Sequence, residues 1–192
     1  GLVLPGVLGY ICPAYCEKGC TLARQTPTSN PLAIRDLHRW IAEMAIQAVP
    51  GSLATVVKPA GKKIAIIGAG PMGLSAAFHL LKAGYTCHLY DQNESAGGAL
   101  RLEIPDSRLP KAVLDFEIKS ILNMGVQFFP NVRAGRDLDI DGLRERYDAV
   151  VLACGSIDLL LRDSFGATDT KQDIKVNPHT LETAISGVFA GG

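Results

Sequence analysis

One stretch of the sequence, residues 63–91, restricts the possible folds more than any other. It begins with a continuous apolar run at residues 63–67, which is typical of a buried parallel strand. A Gly-x-Gly-x-x-Gly pattern follows and opens a segment with the apolar spacing of a helix. A second strand is predicted at residues 86–90, and Asp91 lies at its end. Strand, glycine turn, helix, strand and acid within about 30 residues predict a dinucleotide-binding βαβ unit.

Each glycine of this pattern has a physical reason. Gly68 permits the tight turn from strand to helix, and Gly70 lets a pyrophosphate approach the backbone. Gly73 lets helix and strand pack closely, and the helix N-terminus offers free N–H groups to phosphates. Asp91 is expected to bind the adenosine ribose, which favours FAD or NAD over NADP. The alternative is a glycine turn that binds no ligand.

The sequence divides into three parts. Residues 1–50 contain three clustered cysteines and a predicted helix at about residues 32–48. Apolar residues lie along one side of that helix: Leu37, Trp40, Ile41 and Met44. Residues 51–61 are interpreted as a linker, and residues 62–192 as an α/β domain. Further elements of that domain are predicted as helices at residues 111–124 and 139–146 and strands at 126–129 and 149–153.

Charge and cysteine usage limit the function classes. The 19 Lys and Arg residues balance the 19 Asp and Glu residues, so no basic field favours nucleic acid. No apolar run reaches 18 residues, so no membrane span is predicted. The five cysteines form an odd, clustered set, which favours a metal or cluster site over disulfides and a reducing, cytoplasmic setting.

Three glycine-containing segments favour FAD over NAD. The loop after Asp91 ends in Gly97 and Gly98, an arrangement that resembles flavoproteins with two dinucleotide-binding domains. Residues 153–155 resemble the Ala-Thr-Gly element of those proteins, although Cys154 stands where threonine is usual. Residues 187–192 resemble their second flavin motif.

Residues 97–110 narrow the resemblance further. With their Gly-Gly, Ile-Pro and Arg-Leu-Pro elements they resemble a segment of the glutamate synthase small-chain family. That family includes the electron-entry part of dihydropyrimidine dehydrogenase and the large subunit of NADH-dependent ferredoxin:NADP oxidoreductase. The resemblance continues through residues 116–118, 125–126 and 147–149, and so covers most of the chain.

The resemblance implies a set of FAD contacts. The glycine turn and the first turn of the helix would meet the pyrophosphate: Gly68, Gly70, Pro71, Met72, Gly73 and Leu74. Asp91 would bind ribose, and Ala134 would lie near the adenine. Further positions would line the cofactor: Gly98, Ala99, Gly155, Gly191 and Gly192. Arg108 would be a polar partner of the cofactor, or alternatively an arginine in a solvated loop.

The N-terminal cysteines resemble part of the family's iron–sulfur domain. Cys12, Cys16 and Cys20 supply the soft thiolates that iron–sulfur clusters use. Three thiolates cannot complete a four-thiolate [4Fe-4S] site, so two alternatives stay open: a bound cluster, or cysteines that belong to an incomplete cluster domain. His38 falls where some family members place a non-cysteine ligand, with an ordinary helix-face histidine as the alternative.

The largest departure from the family lies between Gly155 and Gly187. There the family inserts a second Rossmann domain that binds NAD(P)H, whereas only residues 156–186 intervene here, without a second glycine pattern. A domain needs at least about 50 residues. NAD(P)H is therefore expected to act through a domain that this sequence lacks, or through a partner.

These features together predict an α/β, Rossmann-type FAD-binding domain with a short helical, cysteine-bearing N-terminal extension. The expected function is an electron-transfer oxidoreductase module that passes electrons between NAD(P)H or a partner and the iron–sulfur clusters of a larger complex. The expected partner is a redox subunit that carries clusters or the catalytic site, with neither nucleic acid nor membrane. The alternative is a non-catalytic FAD-binding module that serves assembly.

Overall fold

The structure is a computed structural model that describes residues 2–25, 29–48, 61–155 and 174–192. The chain forms two compact units. The first contains Gly1–Leu53 and Ile104–Ser120, and the second contains Ala54–Glu103 and Ile121–Gly192. The sequence patterns do not indicate that Ile104–Ser120 belongs with the N-terminal part. All but residue 61 of the predicted linker lies outside the described residues.

After residue 60 the described elements are five strands and four helices. In chain order they are α1 (Pro5–Ile11), α2 (Tyr15–Lys18), a 3₁₀ turn (Leu22–Arg24), α3 (Ile34–Ala48), β1 (Lys63–Ile67), α4 (Pro71–Lys82), β2 (Thr86–Tyr90), α5 (Ala99–Leu102), α6 (Lys111–Leu122), β3 (Gln127–Phe129), α7 (Ile140–Arg146), β4 (Ala149–Leu152) and β5 (Val188–Ala190). None of the described helices has the length and apolar character needed to cross a bilayer.

The second unit is built on a five-stranded parallel sheet with the order β3-β2-β1-β4-β5. Ile67, the last residue of β1, pairs with Tyr90 on one side and Leu152 on the other. The carboxyl ends of the three central strands therefore meet at one edge. This sheet and its helices confirm the predicted Rossmann-type α/β fold with a helical N-terminal region.

The two faces of the sheet are covered by different helices. Gly73 of α4 lies against Ile66, and α4 buries Leu74, Ala77 and Leu81. Because successive side chains of a strand alternate between faces, Ala65 and Ile67 point the other way. There they join a core cluster with Ile140 and Leu143 of α7: Ala65, Ile67, Tyr90, Ala134, Ile140, Leu143, Val150, Leu152, Val188 and Ala190.

The first unit depends on a close helix pair. A β-carbon on Gly9 of α1 would lie 2.5 Å from the backbone nitrogen of Arg39 on α3, so only glycine fits there. The Tyr10 hydroxyl donates to Glu43 Oε1 at 2.7 Å, and Arg39 Nε donates to the same oxygen at 2.9 Å. Ala42 is the buried residue of α3. The helix that carries the predicted apolar side is present as α3, but the four residues of that side are 46–60% exposed: Leu37, Trp40, Ile41 and Met44.

Candidate dinucleotide-binding site

A cavity of about 720 Å³ lies at the carboxyl ends of β1, β2 and β4, within the second unit. Its volume is in the usual range for small-molecule sites, and its place at the strand ends is the usual one in open α/β sheets. Most of the predicted cofactor-binding residues line it: Gly68, Gly70, Pro71, Met72, Asp91, Gly98, Ala99, Ala134, Gly155 and Gly192.

The glycine turn is tight enough to exclude side chains at two positions. Gly68 has φ +104°, and a β-carbon there would collide with the carbonyl oxygen of Ala153. A β-carbon on Gly73 would collide with the carbonyl oxygen of Gly68. Gly73 and Leu74 are buried in α4 and are not among the residues that line the cavity. Gly73 therefore acts on the site through packing.

Ala69, between the first two glycines, is held from both sides. Its backbone N–H donates to Asp91 Oδ2 at 2.6 Å, and its carbonyl accepts from Gly97 N–H at 2.8 Å. Asp91 is only 8% exposed. The turn is thus tied both to the acid after β2 and to the loop that contains Gly97 and Gly98.

Gly98 crosses directly over the glycine turn. A β-carbon on Gly98 would lie 2.8 Å from the Cα atom of Gly70, and Gly98 has φ +51° with ψ −134°. Gly97 also has a positive φ, +130°. Both the space and the backbone conformation therefore require glycine at residue 98, where L side chains are strained.

The N-terminus of α4 faces this crossing without a capping side chain. Gly70 is the N-cap residue and Pro71 occupies the first turn, with no side-chain cap formed by the described residues. The first N–H groups of a helix have no partner within the helix and carry partial positive charge. The arrangement is suited to a phosphate or pyrophosphate group.

Gly192 and Cys154 also line the cavity, whereas the predicted Gly191 is not among its lining residues. Gly191 N–H donates to the Leu152 carbonyl at 3.1 Å, and a β-carbon on Gly192 would lie 3.2 Å from Met72 Cβ. Cys154 Sγ donates to the Ile67 carbonyl at 3.5 Å, and burial raises its pKa to about 11. Its thiol is therefore protonated near neutral pH.

Several lining residues were not identified from the sequence: Gln92, Asn93, Leu102, Glu103, Val132 and Arg133. The contact between Asn93 and Asp91 could have been predicted from the sequence. An acid followed two residues later by Asn93 is the spacing of an Asx-turn, in which the side chain of the first residue accepts from the backbone of the third.

Arg108 is placed in the other unit, in the segment before α6. Its backbone N–H donates to the Pro105 carbonyl at 2.9 Å, as in a turn. Its suggested role as a polar partner of the cofactor stays a prediction.

The structure does not bring the N-terminal cysteines together. Across residues 2–25, 29–48, 61–155 and 174–192, no three Cys, His, Asp or Glu side chains are grouped closely enough to hold a metal ion. Individual thiols do have hydrogen-bond donors. Ala14 N–H donates to Cys12 Sγ at 3.5 Å, and backbone N–H groups of Leu32 and Ala23 lower the pKa of Cys20. The iron–sulfur site stays a prediction.

Comparison with known proteins identifies relatives over most of the chain. The model of an NAD(P)-binding Rossmann-like domain matches residues 66–133. The chain is 38% identical over 173 residues to the NADP(+)-dependent formate dehydrogenase subunit beta of Moorella thermoacetica, covering 79% of this chain and 24% of that protein. It is 36% identical over 167 residues to the glutamate synthase [NADPH] small chain of Bacillus subtilis, covering 84% of this chain and 33% of that protein.

The glutamate synthase [NADPH] small chain of Escherichia coli is also 36% identical, over 155 residues that cover 80% of this chain and 32% of that protein. The chain therefore spans between 24% and 33% of the length of these three relatives.

Proposed function

Because the chain belongs to the glutamate synthase small-chain family, we propose that it is a FAD-dependent electron-transfer module of an oxidoreductase. The observation that carries this proposal is the crossing of Gly98 over Gly70 beside the uncapped start of α4. Two backbones without side chains meet there, next to partial positive charge, at the edge of a 720 Å³ cavity. The start of α4 is suited to a pyrophosphate, and a β-carbon at residue 98 would force the two backbones apart.

The residues present fit FAD along the length of the cavity. The first turn of α4 would hold the pyrophosphate, and Asp91 and Ala134 lie toward the ends of β2 and β3, where the adenosine part would bind. Gly155 and Gly192 lie at the ends of β4 and β5, where the backbone would hold the flavin part. FAD supplies hydride or electron transfer when bound, and the protein supplies position and electrostatics.

Side chains of this chain act in binding and orientation in the proposed function. Burial raises the pKa of both Cys87 and Cys154 to about 11, so both thiols stay protonated near neutral pH and are poor nucleophiles. The chain's own contribution is the rigid turn around Ala69, which orients the phosphate-binding N–H groups.

The electron donor and acceptor are proposed to lie outside the described domain. Relatives are subunits that use NADPH or NADP(+) according to their names, which supports NAD(P)H as donor through another domain or a partner. The proposed acceptors are iron–sulfur clusters of a larger complex. The backbone N–H groups that lower the pKa of Cys20 support a thiolate role for that residue, with Cys12 and the exposed Cys16 as the other proposed members.

A second candidate is a non-catalytic FAD-binding module that serves assembly of a complex. One observation favours it: among the described residues, no three Cys, His, Asp or Glu side chains are grouped closely enough to hold a metal ion.

Absorption spectroscopy of the purified chain tests the proposal. We expect a bound flavin band, released as FAD on denaturation. Under anaerobic conditions, bleaching by NADH or NADPH at a catalytic rate indicates direct entry of electrons, and bleaching only by a reduced partner indicates a relay. Bound FAD that neither reductant bleaches would favour the assembly role, and a chain that binds no flavin would refute the proposal.

A further inference from the structure

The carboxylate of Asp91 is almost fully engaged with the protein itself. Its Oδ2 atom accepts from Ala69 N–H at 2.6 Å, and its Oδ1 atom accepts from both the backbone N–H and the side-chain amide of Asn93, at 2.8 and 2.9 Å. A carboxylate has about four lone-pair directions. Three are occupied here, so Asp91 can give a ligand at most one more hydrogen bond.

The same hydrogen bonds orient Asn93. A carboxylate only accepts hydrogen bonds, so the amide nitrogen of Asn93 must face Asp91, and the positions of its amide oxygen and nitrogen are determined. The amide keeps one N–H donor and its carbonyl acceptor for other partners. Asn93 lines the cavity and is half-buried. Each hydroxyl of a ribose can both donate and accept, and an oriented amide matches it better than a carboxylate that only accepts.

The backbone around Asn93 is anchored as well. Val132 N–H donates to the Asp91 carbonyl at 2.9 Å, and Asn131 N–H donates to the Asn93 carbonyl at 3.3 Å. Asn131 has φ +59°, a conformation that asparagine tolerates. The loop after β2 is therefore tied to the loop after β3, which limits the movement of the Asn93 side chain.

We propose that Asn93 is a further specificity-determining residue for the adenosine ribose, beside Asp91, whose carboxylate also holds Asn93 and the glycine turn in place. The inference rests on the proposed function, because it assigns an adenosine dinucleotide to this cavity. It goes beyond the expectation for the sequence, in which Asp91 alone recognises the ribose.

Ligand titration separates these roles. The full chain, freed of flavin, is titrated calorimetrically with ADP and with 2′,3′-dideoxy-ADP, which lacks both ribose hydroxyls. We expect the unmodified chain to bind ADP about three- to tenfold more tightly than the dideoxy analogue, the effect of one or two hydrogen bonds. Asn93→Ala should lose at least about half of this preference, because it keeps the backbone N–H bond to Asp91 but leaves only that carboxylate to meet the ribose hydroxyls.

The matched control is Glu94→Ala, which changes an exposed neighbour that does not line the cavity. It should keep the preference for ADP. Asp91→Asn should lower the melting temperature of the ligand-free chain, because an amide cannot accept from Ala69 and from both Asn93 donors at once.

An Asn93→Ala chain that retains the preference for ADP would overturn the inference, as would an Asp91→Asn chain with an unchanged melting temperature. Failure of the unmodified chain to bind ADP is a different result, since it would refute the proposed function as well.

Discussion

Glu117 on α6 caps the N-terminus of α1: its Oε1 atom accepts from Gly6 N–H at 2.6 Å, and its Oε2 atom accepts from Val7 N–H at 2.9 Å. The residue before α1, Leu4, forms no side-chain cap of its own. A carboxylate 111 positions away therefore satisfies two helix N–H groups and lies at the positive end of the helix dipole. Glu117 is 6% exposed.

Removing this carboxylate should destabilise the chain strongly. Glu117→Ala leaves two buried N–H groups without an acceptor, and we expect the free energy of unfolding to fall by about 2–4 kcal/mol. Urea denaturation measures the change. Lys119→Ala, at an exposed position of the same helix, is the control and should stay within about 0.5 kcal/mol. Equal effects of the two substitutions would show that the cap contributes nothing.

The contribution of Glu117 should also depend on pH. Burial raises its pKa above the usual value of 4.5, against the opposing effect of the Val7 and Gly6 N–H groups. The folded state then binds the proton more tightly than the unfolded state, so the contribution to stability decreases as the pH rises from 4.5 through the folded pKa. Urea denaturation of the unmodified chain and of Glu117→Gln compares their free energies of unfolding between about pH 4 and pH 7. As the pH rises, the unmodified chain should lose stability relative to Glu117→Gln. A gain in its relative stability would contradict this sign.

Gly98→Ala should impair both folding and FAD binding. The new β-carbon would meet Gly70 at 2.8 Å, and the positive φ is strained for alanine. We expect a loss of about 1–3 kcal/mol in stability and at least about a tenfold loss in FAD affinity. Fluorescence titration with FAD and urea denaturation measure the two effects.

Gly125→Ala provides the control for backbone strain alone. Gly125 has φ +113°, but a β-carbon there meets nothing within 4 Å, and the residue does not line the cavity. This variant should lose stability while keeping the FAD affinity of the unmodified chain. If Gly98→Ala also kept that affinity, the crossing would not be part of the cofactor site.

A fall in pH should destabilise the second unit because of His88. Tyr147 lies within hydrogen-bond distance of His88 Nδ1 at 2.7 Å and of the Tyr90 hydroxyl at 2.5 Å. Burial, and then the charge of Lys63, lower the pKa of His88 from 6.5. The unfolded state therefore binds the proton more tightly, and stability should be lost as the pH falls below 6.5.

Comparison with His88→Gln isolates this effect, since the variant should lose less stability between about pH 7 and pH 5.5. His79→Gln, at an exposed position on α4, should follow the unmodified chain. Parallel pH profiles of His88→Gln and the unmodified chain would exclude His88 as the origin of the pH dependence.

Trp40 should report on the apolar side of α3. It is the single tryptophan of the chain and is 60% exposed, beside Leu37, Ile41 and Met44. We expect its fluorescence to be quenched readily by acrylamide, as for an indole in water. Quenching as weak as that of a buried tryptophan would show that this side of α3 is covered in solution.

Local patterns were sufficient for the βαβ unit. The steric limit at Gly73 acts against the carbonyl of Gly68, which is close in the chain, and the spacing of apolar residues encodes strand and helix directly. The sequence also predicts Gly98 and Asp91 as cofactor-binding residues, and both line the cavity.

Local sequence patterns did not predict the hydrogen bonds between residues that are distant in the chain. The hydrogen bond from Gly6 N–H to Glu117 and the exposure of Trp40 depend on which helix faces meet, and local spacing does not contain that information. The separation of the N-terminal thiols likewise depends on the path of the backbone after α1.

The sequence by itself thus determined the Rossmann-type fold and the glycine turn, since apolar periodicity and the Gly-x-Gly-x-x-Gly spacing are local features. Only the tertiary structure decided how Asp91 uses its carboxylate. Ala69 N–H occupies one oxygen of that carboxylate at 2.6 Å, and this contact between residues 22 positions apart forms only when β1 and β2 pair.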